Sequence, residues 1–467
     1  MKIDVNGTWI DLDKIGINFI PNVEQLETLN KLAKFMEDKD SISTVLSGGA
    51  GTGKTSIVKI FLEYVRIKHG SYIKLVAPTH KAKAVLSRLS AIDIATTIHK
   101  LLGLKPDMSI LQFDARDIQF LDSLGLFDTT HKDLIIVDEC SMINNILFDM
   151  LIDKMKKKGK ILFIGDAKQI APVKQADISK VFTATDYPGC FLNKVERQQN
   201  SPLLKTLVRL RTRDVVEYQT EISQDKGIIV HDMDSFKEAL SEAFFSLEVL
   251  NKAPQGNKIL AYTNARVDAY NAFVRRLMGI NNVAINVGEV MLAFDSYTKG
   301  AYSGYEEILH NGSEYIVTDL KKSQKLLPGY GSFPGYNLTM QDVHGDKDLR
   351  MFLIDPEESD IKYKNLGIVL EGLRIKAVKR KYLWKNYYAL TESFITMKEI
   401  CFNNRVIKKK TIDYGYALTA HKSQASTFTN VFVDIDNIHT CRDAEVRRQL
   451  EYVSLSRPTH IAHILQK

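Results

Sequence analysis

The stretch "SISTVLSGGAGTGKTSIVKIFLEYV", residues 41–65, decides the fold. Residues 44–46 are β-prone, a glycine loop follows them, and apolar residues then recur at helical spacing. The loop satisfies G-x-x-x-x-G-K-[ST], a pattern whose glycines let backbone N–H groups surround phosphate oxygens at the positive end of a helix. A strand before the loop and a helix after it are the context that confirms this pattern. The predicted phosphate-binding residues are Gly48, Gly49, Ala50, Gly51, Thr52, Gly53, Lys54 and Thr55.

An acidic pair follows a second predicted strand, in "DLIIVDEC" at residues 133–140. The continuous apolar run before the pair is typical of a buried parallel strand. Asp138 and the hydroxyl of Thr55 suit the coordination shell of Mg²⁺, while Lys54 can reach the β- and γ-phosphates. Glu139 can polarise the attacking water. The sequence therefore predicts a site that binds and hydrolyses Mg²⁺-ATP.

A third predicted strand, "KILFIGD" at residues 160–166, leads into "AKQIAPV". Gln169 in this segment is suited to sensing a γ-phosphate, because an amide can both donate and accept hydrogen bonds. Strands and helices alternate from residue 41 to residue 166, which predicts a parallel sheet with helices on both faces.

Two further strand ends carry hydroxyl and imidazole side chains, in "IKLVAPTHKAKAVL" (73–86) and "ATTIHKLL" (95–102). Such groups at strand tips suit contacts with a nucleic-acid backbone. Taken singly, each is more often a helix cap. The candidate nucleic-acid contacts in these two segments are Pro78, Thr79, His80, Thr97 and His99.

Composition indicates a protein of several globular domains. The chain has 467 residues, a 45% hydrophobic fraction and a net charge of +7, and this length exceeds one ordinary core. The modest positive charge favours a polyanionic partner only weakly. No run approaches the ~20 apolar residues that span a bilayer, and no secretory signal is evident. The four cysteines form no metal-ligand pattern, so we expect a cytoplasmic protein that does not bind membranes.

Nine segments taken in order resemble the motifs of superfamily 1 helicases, specifically the 5′-to-3′ branch (superfamily 1B) of RecD- and Dda-type enzymes. They cover nearly the whole chain, and "APTHKAK" and "YTNARVDAYN" are most similar to the Dda type. The motifs are "GGAGTGKT", "APTHKAKAVL", "TTIHKLL", "VDECSM", "GDAKQIAPV", "NKVERQ", "AYTNARVDAYN", "YALTAHKSQAST" and "LEYVSLSRPTH".

This resemblance implies further roles in nucleotide binding and hydrolysis. Gln25 would read adenine, although an exposed glutamine at a helix start is the alternative. Gln169 would couple the γ-phosphate to DNA. Arg197 and Arg457 would neutralise transition-state charge from across a cleft, a role that suits a planar, always charged guanidinium. A surface ion pair is the alternative for Arg197, whereas the apolar run "LEYVSL" predicts a strand ending at Arg457.

By the same resemblance, the segment Tyr416–Thr427 lies between the second motor domain, the γ-phosphate and the DNA strand. Its hydroxyl and amide side chains favour a loop entered from a strand. The family generally has glycine where this chain has Ala425, and alanine tolerates positive φ poorly. The DNA-binding residues implied here and in "AYTNARVDAYN" are Asn264, His421, Lys422, Gln424 and Ser426.

The predicted fold class is α/β, with two RecA-like P-loop motor domains and two insertions. Motor domain 1A covers residues 1–99 and 133–200, and motor domain 2A covers 201–290 and 408–467. Residues 100–132 form insertion 1B, where "LKPDMSILQF" predicts a β-hairpin pin with Met108 or Phe113 as the wedge, or as ordinary packing. Residues 291–407 form insertion 2B, whose short β-prone runs and turn signals suit a small β-barrel followed by an aromatic, basic helical segment. The resemblance implies that this barrel is SH3-like.

The sequence thus predicts an ATP-dependent DNA helicase that translocates 5′ to 3′ on single-stranded DNA and unwinds duplexes, in replication, recombination or repair. Two alternatives stay open: a superfamily 1 RNA helicase, and an ATP-gated translocase or clamp that does not unwind. A nuclease subunit is disfavoured, because no region outside the motor is large enough. The expected partners are single-stranded and forked DNA, a single-strand-binding protein and replisome proteins, and the expected state is a monomer.

Overall fold

The computed structural model describes most of the chain. The described residues are 1–49, 51–70, 72–77, 95–102, 104–105, 121–122, 133–155, 159–169, 179–194, 202–212, 216–245, 256–281, 284–299, 306–343, 347–424 and 426–466.

The first half of the chain contains ten strands and four helices within these ranges. The strands are Lys2–Val5 (β1), Thr8–Asp11 (β2), Ser43–Gly48 (β3), Tyr72–Ala77 (β4), Ala95–Thr97 (β5), Leu104–Lys105 (β6), Leu121–Asp122 (β7), Asp133–Val137 (β8), Lys160–Gly165 (β9) and Cys190–Leu192 (β10). The helices are Val23–Glu37 (α1), Lys54–His69 (α2), Ile98–Leu101 (α3) and Asn145–Met155 (α4).

The second half, described over the ranges given above, adds fifteen strands and seven helices. The strands are Glu221–Ser223 (β11), Lys226–His231 (β12), Asn257–Ala261 (β13), Val290–Ala293 (β14), Tyr297–Lys299 (β15), Glu306–Leu309 (β16), Glu314–Leu327 (β17), Gly331–Asp342 (β18), Asp348–Ile354 (β19), Ile400–Phe402 (β20), Arg405–Lys408 (β21), Ile412–Tyr414 (β22), Ala417–Thr419 (β23), Phe428–Asp434 (β24) and Pro458–Leu465 (β25). The helices are Pro202–Thr212 (α5), Met233–Ala243 (α6), Asn264–Leu277 (α7), Asp360–Lys379 (α8), Trp384–Thr391 (α9), Ile435–Ile438 (α10) and Ala444–Leu455 (α11).

A six-stranded parallel sheet organises the first half, in the order β10-β3-β9-β8-β4-β5. The predicted strands at residues 44–46, 134–137 and 160–166 all belong to it. Strand β3 is buried along its whole length, and α2 packs its predicted apolar face against the sheet. Because the strands are parallel, their carboxyl ends meet at one edge. The predicted parallel sheet is therefore confirmed.

A second six-stranded sheet has the order β11-β12-β25-β24-β13-β23. Its strands are parallel except for β11, which pairs antiparallel with β12 at one edge. Helices α5 and α11 contribute Leu203, Leu207, Leu210 and Leu450 to the same apolar cluster as strands β24 and β25. The chain thus contains the two parallel-sheet cores that the sequence predicts, with α5 joining the second.

Residues between the strands of the second sheet form an antiparallel sheet of five strands, in the order β19-β18-β17-β14-β22. Among the described strands, β19 and β22 are its edges, and no pairing closes it into a barrel. Helices α8 and α9 confirm the predicted helical segment, and they pack beside this sheet around Phe333 and Phe394. The SH3-like barrel and the exact domain boundaries stay predictions.

One expectation about local structure was wrong. The run "LEYVSL" lies in helix α11 rather than in a strand, so Arg457 follows a helix and precedes β25. Strands β17 and β18 are linked by residues 328–330 alone. Strands β6 and β7 pair antiparallel, but the predicted pin between them lies outside the described residues. None of the described helices has the length and apolar character needed to cross a membrane.

Candidate active site and nucleic-acid interface

The glycine loop joins β3 to α2, as its sequence predicts. Gly51 and Gly53 have φ values of 78° and 88°, a region in which glycine is favoured. The Lys54 ammonium turns back into the loop and donates to the carbonyls of Gly48 and Gly49 at 2.6 and 2.9 Å. Burial lowers the pKa of Lys54, while Asp166 and Glu139 oppose that effect. Ala50 lies outside the described residues.

The predicted acidic pair lies at the carboxyl end of β8, two strands from the glycine loop. Burial and the neighbouring Glu139 raise the pKa of Asp138 to about 7. Glu139 has a φ of 51°, which is unusual for a residue with a side chain and is a conformation that clusters at functional sites. Thr55 is exposed on the first turn of α2. A cation held by the Asp138 carboxylate would offset the cost of burying its charge.

Gln25 packs directly on the glycine loop. Its Nε2 amide donates to the Thr52 carbonyl at 3.1 Å, and its Oε1 accepts from the Asn22 N–H at 3.0 Å. Asn22 and Gln25 form a capping box at the start of α1, and the Gln25 side chain is almost fully buried. The alternative of an exposed glutamine is therefore wrong, and the role of Gln25 in adenine binding stays a prediction.

Gln169 follows β9 and is buried in the described structure, where its Oε1 has no hydrogen-bond partner. A buried carbonyl oxygen without a donor carries a desolvation cost of about 1–3 kcal/mol. Gln169 lies just beyond the carboxyl end of β9, and β9 is the neighbour of β3, the strand that leads into the glycine loop. This position suits the predicted γ-phosphate sensor.

Arg457 approaches the same site from the second sheet. Its guanidinium is buried and donates to the carbonyls of Val453 and Ser426 at 2.9 and 3.3 Å. Burial lowers its pKa, and Glu139 and Asp166 of the first half are among the groups that raise it. Arg457 is therefore close enough to Glu139 and Asp166 for their charges to act on it, while its hydrogen bonds go to groups of the second half. The other predicted arginine, Arg197, lies outside the described residues.

Three side chains that the site prediction missed join the two halves here. Arg211 of α5 donates through Nη1 to both carboxylate oxygens of Asp166, at 2.9 Å each, and to the hydroxyl of Tyr452 at 3.0 Å. The Tyr452 hydroxyl donates to the same carboxylate at 2.7 Å. Asp166 was visible as a strand end, but Arg211 and Tyr452 come from helices that are distant in the sequence, and Tyr452 belongs to the apolar cluster of the second sheet, so no local signal marks either residue.

Within the described residues, the predicted DNA contacts lie in three places. His421 and Lys422 follow β23, where Lys422 lies over the ring of Phe294 at 2.9 Å from its centroid. Burial and Lys410 lower the pKa of Lys422 to about 7. Asn264 is exposed and is the first residue of α7. This helix follows β13, the strand that pairs with β23. These three residues therefore lie at adjacent strand ends.

Gln424 and Ser426 continue the loop toward β24. Ser426 is buried, and its hydroxyl donates to the Gln424 carbonyl at 3.4 Å. The backbone of Thr97 and His99 lies at the end of β5 and in α3. Outside the described residues lie Pro78, Thr79, His80 and Ala425.

Comparison with known proteins gives matches along most of the chain. Residues 21–233 match a family model described as an AAA domain. The ATP-dependent DNA helicase Dda of Enterobacteria phage T4 is 27% identical over 461 residues, covering 93% of this chain and 96% of Dda. The RecBCD subunit RecD of Buchnera aphidicola (Acyrthosiphon pisum) is 22% identical over 442 residues, covering 85% of this chain and 66% of RecD.

Among solved structures, a Bacteroides Pif1 helicase in complex with ADP-AlF3 and ssDNA has a TM-score of 0.50 and 17% identity. The match covers 96% of this chain and 92% of Pif1. At that identity the similarity establishes the fold, and it agrees with the two parallel sheets described above.

Proposed function

We propose that this chain, a superfamily 1B relative of phage Dda along nearly its whole length, is an ATP-dependent helicase that unwinds DNA in the 5′-to-3′ direction. The observation that carries the proposal is the joint site between the sheets. The glycine loop and the acidic pair belong to the first sheet, and the buried Arg457 of the second sheet is close enough for the charge of Glu139 to act on it.

The residues present fit a triphosphate and a divalent cation. The glycine loop supplies backbone N–H groups and Lys54, which suit phosphate oxygens. Asp138 and Thr55 supply the carboxylate and hydroxyl oxygens that Mg²⁺ prefers, and a bound cation would offset the cost of burying the Asp138 charge. When bound, Mg²⁺ would neutralise phosphate charge and so assist the departure of the γ-phosphoryl group.

The chain's own residues would then divide the work of hydrolysis. Glu139 would orient the attacking water, while Lys54 and Arg457 would stabilise charge that spreads over the phosphoryl oxygens. Arg457 belongs to the second sheet, so its contribution requires the two sheets to approach. Gln169, with its unpartnered buried Oε1, would respond to the γ-phosphate.

DNA would cross the strand ends of the second sheet that carry Asn264, His421 and Lys422. Closure on ATP and opening after hydrolysis would move one sheet relative to the other along the strand. Phage T4 Dda is a DNA helicase and the Bacteroides Pif1 helicase binds ssDNA, which favours DNA over the RNA alternative. The proposal extends to a monomer that acts on single-stranded and forked DNA in a bacterial or phage-infected cytoplasm, beside a single-strand-binding protein or replisome proteins.

Steady-state ATP hydrolysis with single-stranded DNA, with single-stranded RNA and without nucleic acid tests the proposal. We expect strong stimulation by DNA, and loss of activity in Lys54→Ala and Glu139→Gln. Stimulation by RNA alone would favour the RNA helicase. Hydrolysis without unwinding would favour the translocase or clamp.

A further inference from the structure

The contact between Arg211, Asp166 and Tyr452 connects the two sheets beside the glycine loop. Each of its three pairs is joined by a hydrogen bond of 2.7–3.0 Å. The Asp166 side chain has no exposed surface, and that of Arg211 is only 22% exposed. Asp166 directly follows β9 of the first sheet, whereas Arg211 and Tyr452 lie in helices of the second half. We call these three residues the cleft bridge.

The cleft bridge lies directly on the glycine loop. A methyl group placed on Gly49 would overlap the Arg211 guanidinium, with 2.9 Å to its Cζ and 3.2 Å to the Tyr452 hydroxyl. On its other side, the Gly49 carbonyl accepts from the Lys54 ammonium. Gly49 therefore lies between two cations, one from each half of the chain. Two cations around a loop built to hold phosphate favour a polyanion as their common ligand.

The Arg211 donor that lies nearest the glycine loop is Nη1, and the same donor binds Asp166. Carboxylate and phosphate oxygens have similar geometry, so either group can accept from a guanidinium. Asp166 would therefore compete with phosphate oxygens on the glycine loop for Arg211. A buried Asp166 that lost this partner would keep the Tyr452 hydroxyl as a donor.

We propose that Arg211 is a phosphate-binding residue that exchanges between Asp166 and the terminal phosphates of a nucleoside triphosphate, and so links occupancy of the glycine loop to the contact between the sheets. The inference rests on the proposed function and deepens it. Because Arg211 and Tyr452 are fixed to helices of the second half, withdrawal of Arg211 from Asp166 loosens one sheet-to-sheet contact while a new one forms through phosphate. A diphosphate, which lacks the terminal group, competes less.

The opposite reading is a purely structural ion pair. If the ion pair only supports the fold, removal of either partner lowers the stability of the folded chain. Such a pair would give Arg211→Ala and Asp166→Asn the same sign of effect on nucleotide binding. An exchange predicts opposite signs, because removing the arginine removes a phosphate ligand, whereas removing the aspartate charge removes its competitor.

The test is equilibrium binding of a fluorescent, non-hydrolysable ATP analogue and of the matching ADP analogue to the full chain, with Mg²⁺. Arg211→Ala should weaken triphosphate binding by about tenfold or more, the loss expected of a charge-assisted hydrogen bond, and diphosphate binding far less. Asp166→Asn keeps the acceptor for the Lys168 N–H and should tighten triphosphate binding. Tyr452→Phe should shift binding in the same direction as Asp166→Asn, by less.

Arg209→Ala is the matched control, since Arg209 lies on the same helix with its side chain exposed. Arg211→Lys keeps the charge and should recover part of the lost affinity. Urea unfolding of every variant separates a binding effect from loss of the fold. The exchange is overturned if Arg211→Ala binds the triphosphate like Arg209→Ala, or if Asp166→Asn weakens binding as Arg211→Ala does.

Failure of the exchange and failure of the proposed function look different. A wild-type chain that hydrolyses ATP and unwinds DNA while Arg211→Ala binds the triphosphate normally would remove the exchange alone. A wild-type chain that binds no triphosphate would remove both.

Discussion

The Lys258 ammonium lies 3.0 Å from the Glu314 carboxylate, and the two side chains are only 2% and 3% exposed. Lys258 belongs to β13 of the second parallel sheet, and Glu314 begins β17 of the antiparallel sheet. Lys258 also donates to the Gly415 carbonyl at 2.6 Å. This buried pair therefore ties the inserted sheet to the motor sheet from which it emerges.

Removing one member of this pair should be costly, whereas replacing both should not. Glu314→Ala leaves an unpaired buried ammonium, and we expect the free energy of unfolding to fall by about 3–5 kcal/mol. The double variant Lys258→Met/Glu314→Leu should recover most of that loss, because no buried charge remains. Urea unfolding measures both. As a control, Asp319→Ala at the exposed pair with Lys321 should change stability by less than about 1 kcal/mol. A double variant as unstable as the single one would contradict this account.

Gln25 caps the start of α1 and also contacts the glycine loop, and different substitutions can separate these two roles. Gln25→Ala loses the capping box and the bond to Thr52, so we expect a loss of about 0.5–2 kcal/mol in stability and weaker ATP binding. Gln25→Glu keeps a capping acceptor but cannot donate to the Thr52 carbonyl. It should retain stability while raising the KM for ATP by about tenfold, the equivalent of one hydrogen bond. Thermal unfolding and ATPase kinetics read the two effects, and an unchanged KM in Gln25→Glu would exclude a role for the Thr52 contact.

The paired imidazoles of His231 and His463 predict acid sensitivity in the second sheet. Their ring nitrogens are 3.0 Å apart, and Phe432 stacks on His463 with centroids 4.3 Å apart. Burial, then His231, lowers the pKa of His463 to about 4, and burial lowers that of His231, although Asp232 opposes it. As the pH falls through 6.5, the ordinary pKa of histidine, the imidazoles of the unfolded chain take up protons. In the folded chain, His463 takes up its proton only at a lower pH.

Stability should therefore be complete above pH 6.5 and should fall between pH 6.5 and about 4. A fall in pKa from 6.5 to about 4 corresponds to about 3 kcal/mol from His463. His463→Phe should flatten this part of the profile, and urea unfolding at several pH values measures it. An equal slope in wild type and His463→Phe would assign the acid sensitivity to other groups.

Lys422 should contribute one phosphate contact to DNA binding. Lys422→Ala should reduce affinity for single-stranded DNA and lower the slope of log affinity against log salt by about 0.7, the value for one phosphate neutralised on a single strand. Fluorescence anisotropy at several salt concentrations gives both quantities. Lys321→Ala, at a 76% exposed side chain of β17, is the charge-matched control. Equal slopes for the two variants would remove Lys422 from the interface.

Much of the motor could be predicted because its signals are local. The glycine loop needs a strand, a turn and a helix within 25 residues. The strand and the helix each have a characteristic spacing of apolar residues, and the turn is marked by its glycines. Arg457 shows the limit: a short apolar run such as "LEYVSL" fits a buried helix as well as a strand, and packing against β24 decided for the helix.

The cleft bridge could not be predicted for a different reason. Arg211 and Tyr452 are 241 residues apart, and neither stands in a pattern that names Asp166 as its partner. Their contact depends on how two sheets face each other, which local periodicity does not specify. The full length of β18 could not be predicted either, because Gly331, Pro334 and Gly335 indicate a turn, whereas pairing with β17 keeps this part of the strand extended.

Unwinding of duplexes that carry a single-stranded tail at either the 5′ or the 3′ end tests the central claim most directly. The wild-type chain with Mg²⁺-ATP should separate the 5′-tailed DNA duplex, leave the 3′-tailed duplex intact, and lose this activity in Glu139→Gln. Opening of the 3′-tailed duplex alone would contradict the direction of movement. Separation of neither duplex, with ATP hydrolysis intact, would contradict the assignment as a helicase.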